Sequence, residues 1–364
     1  MWRNKLLRFL IVSFGLGAFL GLISGLAFGG SDHETAQVVA TAEAADSAGS
    51  SAQTGSDGSS SEPMTPEHAR AIGANEMGQV LVLMYHLIDT EETKLTRTPE
   101  NFRNDIALLK SEGFYPINVR DLVSGNIDIP AGTSPVAITF DDSSPGQYRI
   151  LDDGTVDPKS AVGIMQAAVE AGGWASRGTF ACLLDVVPKE RVIFGQPDRQ
   201  REKLHNLVDW GYEVASHTVT HLNLKKASTN EAVKQLAQSK SMLEDLIGGG
   251  YTVTSIAIPY GEYPADVGIL ARGEYEGTTY GYTAALALGD TPSPSPFSVK
   301  FDPLHIPRIT GTADYLPKAI QRFKDRPELR YISDGDPWTV SAPAQLADEL
   351  GDLADDLGRP VVRY

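Results

Sequence analysis

The sequence predicts an α/β fold: a parallel sheet covered by helices and closed into a distorted (β/α) barrel. Three observations predict it. Short, continuously apolar runs alternate with amphipathic segments of helical period, as when strands are buried on both faces. Helix punctuation falls between those runs, with Thr98-Pro99 and Ser228 opening helices and Gly113 and Gly211 closing them. Four of the strands also end in conspicuous polar residues. A doubly wound sheet fits the alternation equally well. The strand ends favour the barrel, where all C-terminal ends lie on one face and sites are assembled there.

The elements follow in order. Residues 80–85 read as a buried strand. Thr98 is the N-cap of the next helix, with Pro99 at its first position, where a missing N–H costs nothing. Residues 136–140 form a second strand, and 158–170 a helix ended by Ala171-Gly172-Gly173. A strand over 178–184, a helix over 203–210 and a strand over 212–216 come next. Ser228 and Glu231 form a capping box that opens a long helix, ended by Gly248 to Gly250. Residues 251–258 are again a strand. This catalytic-sized unit spans 78–335. Residues 336–364 are expected to be a C-terminal extension, with 342–358 an acidic amphipathic helix used for packing.

The N-terminus has a different character. Arg3, Lys5 and Arg8 precede an uncharged apolar run over 9–30. Such a run can cross a bilayer as a helix, with the basic flank inside and the remainder outside the cytoplasm. Residues 1–30 are therefore read as a membrane anchor, or as a signal peptide if the run is cleaved and the protein secreted. Gly17, Gly21, Gly25 and Gly29 recur every fourth residue, a stripe on which two such helices can pack as a homodimer. Residues 31–77, rich in Ala, Ser and Gly at their start, are expected to be a flexible linker.

Composition excludes some functions. The 364 residues include 47 acidic and 31 basic side chains, a net charge of −16. That balance argues against nucleic acid as partner, because phosphate binding needs clustered Lys and Arg. The one cysteine, Cys182, lies in an apolar run and reads as a buried thiol.

The strand-end residues carry the chemistry. The first strand ends in Tyr85-His86 and the second in Asp141-Asp142, followed by the turn Ser143-Ser144-Pro145-Gly146. Another ends in Ser216-His217, with His221 four residues on, and another in Pro259-Tyr260. The His217–His221 spacing puts both rings on one face of a helical turn. Two imidazoles and one carboxylate make a set that suits Zn²⁺ or another first-row divalent ion and leaves positions open. Of two neighbouring carboxylates, one can bind the ion while the other takes a proton from water acidified by it. Such chemistry suits hydrolysis of an amide or ester.

Thr139-Phe140-Asp141-Asp142, Ser216-His217-Thr218-Val219-Thr220-His221 and Pro259-Tyr260-Gly261 resemble, in that order, motifs of the polysaccharide deacetylase family (NodB homology domain, carbohydrate esterase family 4). Leu83-Met84-Tyr85-His86 looks like the start of members that act on surface polysaccharides. The resemblance covers roughly 80–309. It implies a distorted (β/α) barrel, a divalent metal, and removal of N-acetyl groups from a polymeric sugar of the cell surface or wall. It also implies Asp141 as the base, Asp142, His217 and His221 as metal ligands, and an oxyanion donor at Tyr260 after Pro259.

The chain departs from the pattern in several places. Ser143 stands where the family has Gly, and Ala257 where it has the Arg that orients the base. The general acid is expected to be His305 or His86. A catalytically weak carbohydrate-binding relative, or a hydrolase of another amide or ester, remains the alternative.

Overall fold

The computed structural model describes residues 63–364. The anchor, the glycine stripe and most of the expected linker lie outside the described residues. Among those described, no helix is long and apolar enough to cross a membrane.

Eight strands form the main sheet: β1 (Leu81–Tyr85), β2 (Phe114–Ile117), β3 (Ser134–Phe140), β4 (Thr179–Cys182), β5 (Glu213–Ser216), β6 (Ser255–Ala257), β7 (Ala284–Leu286) and β8 (Ile309–Thr310). They run in the order β7-β6-β5-β4-β3-β1-β8, all pairs parallel, with β2 beside the first half of β3. Ile306 pairs with Leu286 of β7, and Ile309 with Leu83 of β1. One short segment thus touches both ends of the sheet, which curls back on itself as the expected barrel would. Strands β1, β3, β4 and β5 are buried along their whole length, which is why they read as unbroken apolar runs.

The helices starting at Pro99 and Thr229 begin where the sequence signals put them, whereas the one expected from 158 begins at Ala161 and the one expected from 203 begins at Gln200. Helix α2 (Pro99–Ser111) has Thr98 as N-cap, its side chain accepting the Asn101 N–H. Helix α4 (Ala161–Glu170) is capped by Ser160, α5 (Gln200–Trp210) stops at Gly211, and α6 (Thr229–Ile247) is capped by Ser228. Aromatic rings fill the core under the site end, with Phe140 and Phe180 stacked at 4.6 Å.

Three expectations need correction. The folded part starts upstream of residue 78: α1 (Pro66–Ile72) is capped by Thr65, and Ala69, Ala74, Glu76 and Met77 are buried. The expected linker mixed two compositions, and its last stretch contains Thr65-Pro66, an N-cap followed by proline. Residues 342–358 form no helix. Pro343 removes an early N–H, and Gly351 and Gly358 take positive φ. The tail instead returns Val361–Arg363 to pair in parallel with Val340–Ala342. The strand expected over 251–258 shrinks to Ser255–Ala257.

Candidate metal centre and active site

The Asp pair leaves β3 through a sharp turn. Asp142 and Ser143 both have positive φ, at 76° and 42°. That reversal points two adjacent carboxylates toward one site, which a regular strand forbids. The turn is pinned from β1: Asp141 N–H donates to Tyr85 O at 2.9 Å, and Gln147 Nε2 donates to both His86 O and Asp141 O.

The His pair leaves β5, though not as the helical turn the spacing suggested. Thr218 and His221 have φ of 67° and 58°, so the segment is a loop of left-handed kinks. Gln235, buried on α6, holds it open by accepting the N–H groups of Val219 and Thr220 at 3.0 and 3.1 Å. The rings of His217 and His221 still meet, 4.8 Å apart.

Asp142 Oδ1 lies 3.5 Å from Nε2 of His217 and 3.5 Å from Nε2 of His221. Donors about 2.1 Å from a tetrahedral ion are about 3.4 Å apart, so this spacing fits a first-row divalent cation. Among the described residues, these three form the one set of His, Cys, Asp and Glu donors gathered closely enough to hold a metal. His217 Nδ1 lies 2.8 Å from Ala257 O. Donating its proton there leaves Nε2 as a lone-pair donor and fixes the ring.

The electrostatics keep both carboxylates ionised. Burial disfavours the charge of Asp141, but Arg308 and His217 overcome it and hold the group at about 2. Burial likewise opposes Asp142, and the neighbouring His217 and the charge of Arg191 keep it well below the usual carboxylate range. Burial and the neighbouring His217 lower His221 to about 4, so it is neutral and able to ligate near pH 7. His217 is raised: the two Asp charges outweigh its burial.

Arg308 is the residue the sequence reading missed. It is fully buried and grips Asp141 with both arms, Nη1 to Oδ1 at 2.7 Å and Nη2 to Oδ2 at 2.8 Å. Its other donors reach Thr139 Oγ1 and Ala287 O. Ala257 indeed carries no guanidinium, but the same partner arrives from the segment leading into β8. A lone Arg inside the apolar run Ile306-Pro307-Arg308-Ile309 was the available signal.

The two candidate acids separate. His86 lies within the reach of the Asp141, Asp142 and His217 charges, its pKa lowered mainly by burial, and its Nδ1 has no partner among the described residues. His305 is exposed and stacks on Tyr263 at 4.7 Å, not on any member of the cluster. Its neighbour Ile306 pairs with β7, which turns the His305 side chain outward.

Pro259 is buried at the end of β6, and Tyr260 follows with φ 60°. The Tyr260 ring packs on His221 at 4.4 Å while 57% of the residue stays exposed. A cleft of about 370 Å³ opens beside it, walled by Val187, Arg191, Thr220 and His221. A second, of about 360 Å³, lies beyond His86, between residues 87–90 and the Ser144-Pro145-Gly146 turn.

Residues 179–278 match the family model described as polysaccharide deacetylase. The matched span holds His217, His221 and Tyr260, while the Asp pair lies upstream of it. No curated protein matches the chain. Among solved structures, a polysaccharide deacetylase from Bacillus cereus aligns at 23% identity over 66% of this chain and 69% of its own, with a TM-score of 0.49. The Streptococcus pyogenes deacetylase PplD in complex with acetate aligns at 21% identity over 67% and 97%, TM-score 0.48. IcaB from Ammonifex degensii aligns at 18% identity over 67% and 96%, TM-score 0.46. The match over residues 179–278 and the motifs along the strand ends make this chain similar to the polysaccharide deacetylase family.

Proposed function

We propose that this protein is a metal-dependent hydrolase that removes N-acetyl groups from a cell-surface or cell-wall polysaccharide. The observation that carries the reading is the convergence of Asp142, His217 and His221 with the adjacent Asp141, itself gripped by Arg308. A divalent cation, Zn²⁺ by the donor set, would polarise the acetamide carbonyl and acidify water beside it.

The chain's own groups do the rest. Asp141 is ionised and oriented by Arg308, so it can take a proton from water as the oxygen bonds to the carbonyl carbon. The Tyr260 backbone N–H is assigned to the developing oxyanion. His86 gives a proton to the leaving nitrogen as the C–N bond breaks, releasing acetate and a free amine. The open cleft beside His221 and Tyr260 suits a polymer better than a small ester. The rival reading, a weakly active carbohydrate-binding relative, leaned on the missing Arg and an uncertain general acid; Arg308 supplies a guanidinium for the first, and the second rests on His86.

The N-terminal run places the domain outside the cytoplasm in this proposal, tethered to the membrane. The test is acetate release from a panel of N-acetylated glycans by metal-stripped and Zn²⁺-reloaded protein. Release that returns only on reloading is expected. Release unaffected by stripping, or none from any glycan, would sink the reading.

A further inference from the structure

The wall of the cleft carries a cation that this scheme leaves unused. Arg191 Nη2 lies 2.5 Å from Asp142 Oδ1, the same oxygen that faces both imidazoles. Backbone contacts hold the arginine there as well as its charge. Ser143, fully buried, sits at φ 42°, a costly conformation for a residue with a side chain. Its hydroxyl donates to Arg191 O at 2.6 Å and accepts from Leu183 N–H at 3.0 Å. Its carbonyl accepts the Phe194 N–H at 2.9 Å, and Leu183 pairs with Val192. The residue next to the ligand carboxylate therefore ties down the very turn that lays a guanidinium on that carboxylate. Glycine would relieve the strain at 143 but lose both hydroxyl bonds.

We propose that Arg191, locked by Ser143, is a built-in counter-cation of Asp142 that competes with the divalent ion and weakens its binding. The inference rests on reading Asp142, His217 and His221 as the cation site. Charge counting gives its direction. Arg308 neutralises Asp141 and Arg191 neutralises Asp142. A divalent ion added to this balanced set keeps both of its positive charges uncompensated, and one like charge stands on its own ligand. Arg191 is thus a positioning residue: its guanidinium stands on the ligand carboxylate and speeds the ion's release.

The test is titration of the metal-stripped full chain with Zn²⁺ against a chromophoric chelator, at low and high salt. Wild type is compared with Arg191→Gln, Ser143→Gly and the double variant. Arg191→Gln should bind Zn²⁺ about tenfold tighter, a coupling of ordinary size between two sites. That advantage should shrink in high salt, since Arg191 is partly exposed. Ser143→Gly should shift affinity the same way, and the double variant should bind no tighter than Arg191→Gln. Equal or weaker binding by Arg191→Gln overturns the proposal. So does a Ser143→Gly effect that persists in full without Arg191. If Arg191→Gln does not fold, Ser143→Gly alone decides, and unchanged affinity overturns it. Wild type that binds no Zn²⁺ fails the metal-site reading itself. Wild type that binds, with no tightening in the variants, fails only this inference.

Discussion

Asp141 and Asp142 are neighbours in sequence but sit in different company, and one substitution should separate their roles. Both oxygens of Asp141 are held by Arg308, whereas Asp142 faces the two imidazoles. Asp141→Asn should keep Zn²⁺ and lose about 10²–10⁴-fold in activity, because an amide cannot take the proton from water. Asp142→Asn should lose Zn²⁺ affinity first and regain activity with excess metal. Activity measured along a Zn²⁺ titration distinguishes them; rescue of the Asp141 variant would reverse the roles. Arg308→Met should be more damaging to the fold than either. It strands a buried carboxylate, and breaking such a pair costs about 3–5 kcal/mol, readable as a lower urea midpoint. The ligand set was legible in sequence because His217 and His221 are close together and follow an apolar strand. Arg308 was not, because it reaches Asp141 from 167 residues away and no local spacing encodes that meeting.

At the scale of elements, the far end of the sheet is stapled by one buried acid. Glu213, the first residue of β5, accepts from Thr179 at the start of β4 at 3.0 Å and from Ser255 at the start of β6 at 2.5 Å. It also accepts the Arg120 N–H at the start of the short helix α3 (Val119–Ser124). Its pKa is raised by burial, only partly countered by Arg120. Glu213→Ala leaves three donors without their acceptor, so about 2–4 kcal/mol of stability should be lost, measured by urea unfolding. Zn²⁺ affinity of the folded fraction should stay unchanged, since the ligands lie at the opposite strand ends. Caps and glycines made most helices legible, since Thr98, Ser228 and Gly211 act within one turn of themselves. The His217–His221 loop was misread because its shape is imposed by Gln235 on the following helix. Residues 342–358 were misread because charge periodicity was weighed above Pro343 and Gly351.

Across the whole molecule, the two ends of the described chain are joined through a buried carboxyl that the expected domain boundary would have cut away. Glu76 Oε1 accepts from Tyr331 Oη at 3.1 Å and from Asp334 N–H, and Oε2 accepts from Ser341 N–H at 2.8 Å. A chain starting at Gly78 loses these bonds together with α1, so it should unfold at lower urea than one starting at Pro63. The same residue makes stability depend on pH. Burial, reinforced by the Asp334 charge, pushes Glu76 from 4.5 up to about 8. The folded protein therefore keeps a proton that the unfolded chain releases above about 4.5. Where the folded state binds more protons, stability falls as pH rises. The contribution of Glu76 is full below pH 4.5, declines through the window to about 8, and is flat beyond it. Glu76→Gln is neutral at every pH and keeps an acceptor oxygen, so its urea midpoint should lack this part of the decline. Midpoints at pH 5, 7 and 8.5 for both proteins test it. Parallel decline in the two would show that Glu76 is ionised in the folded state and that another group sets the slope.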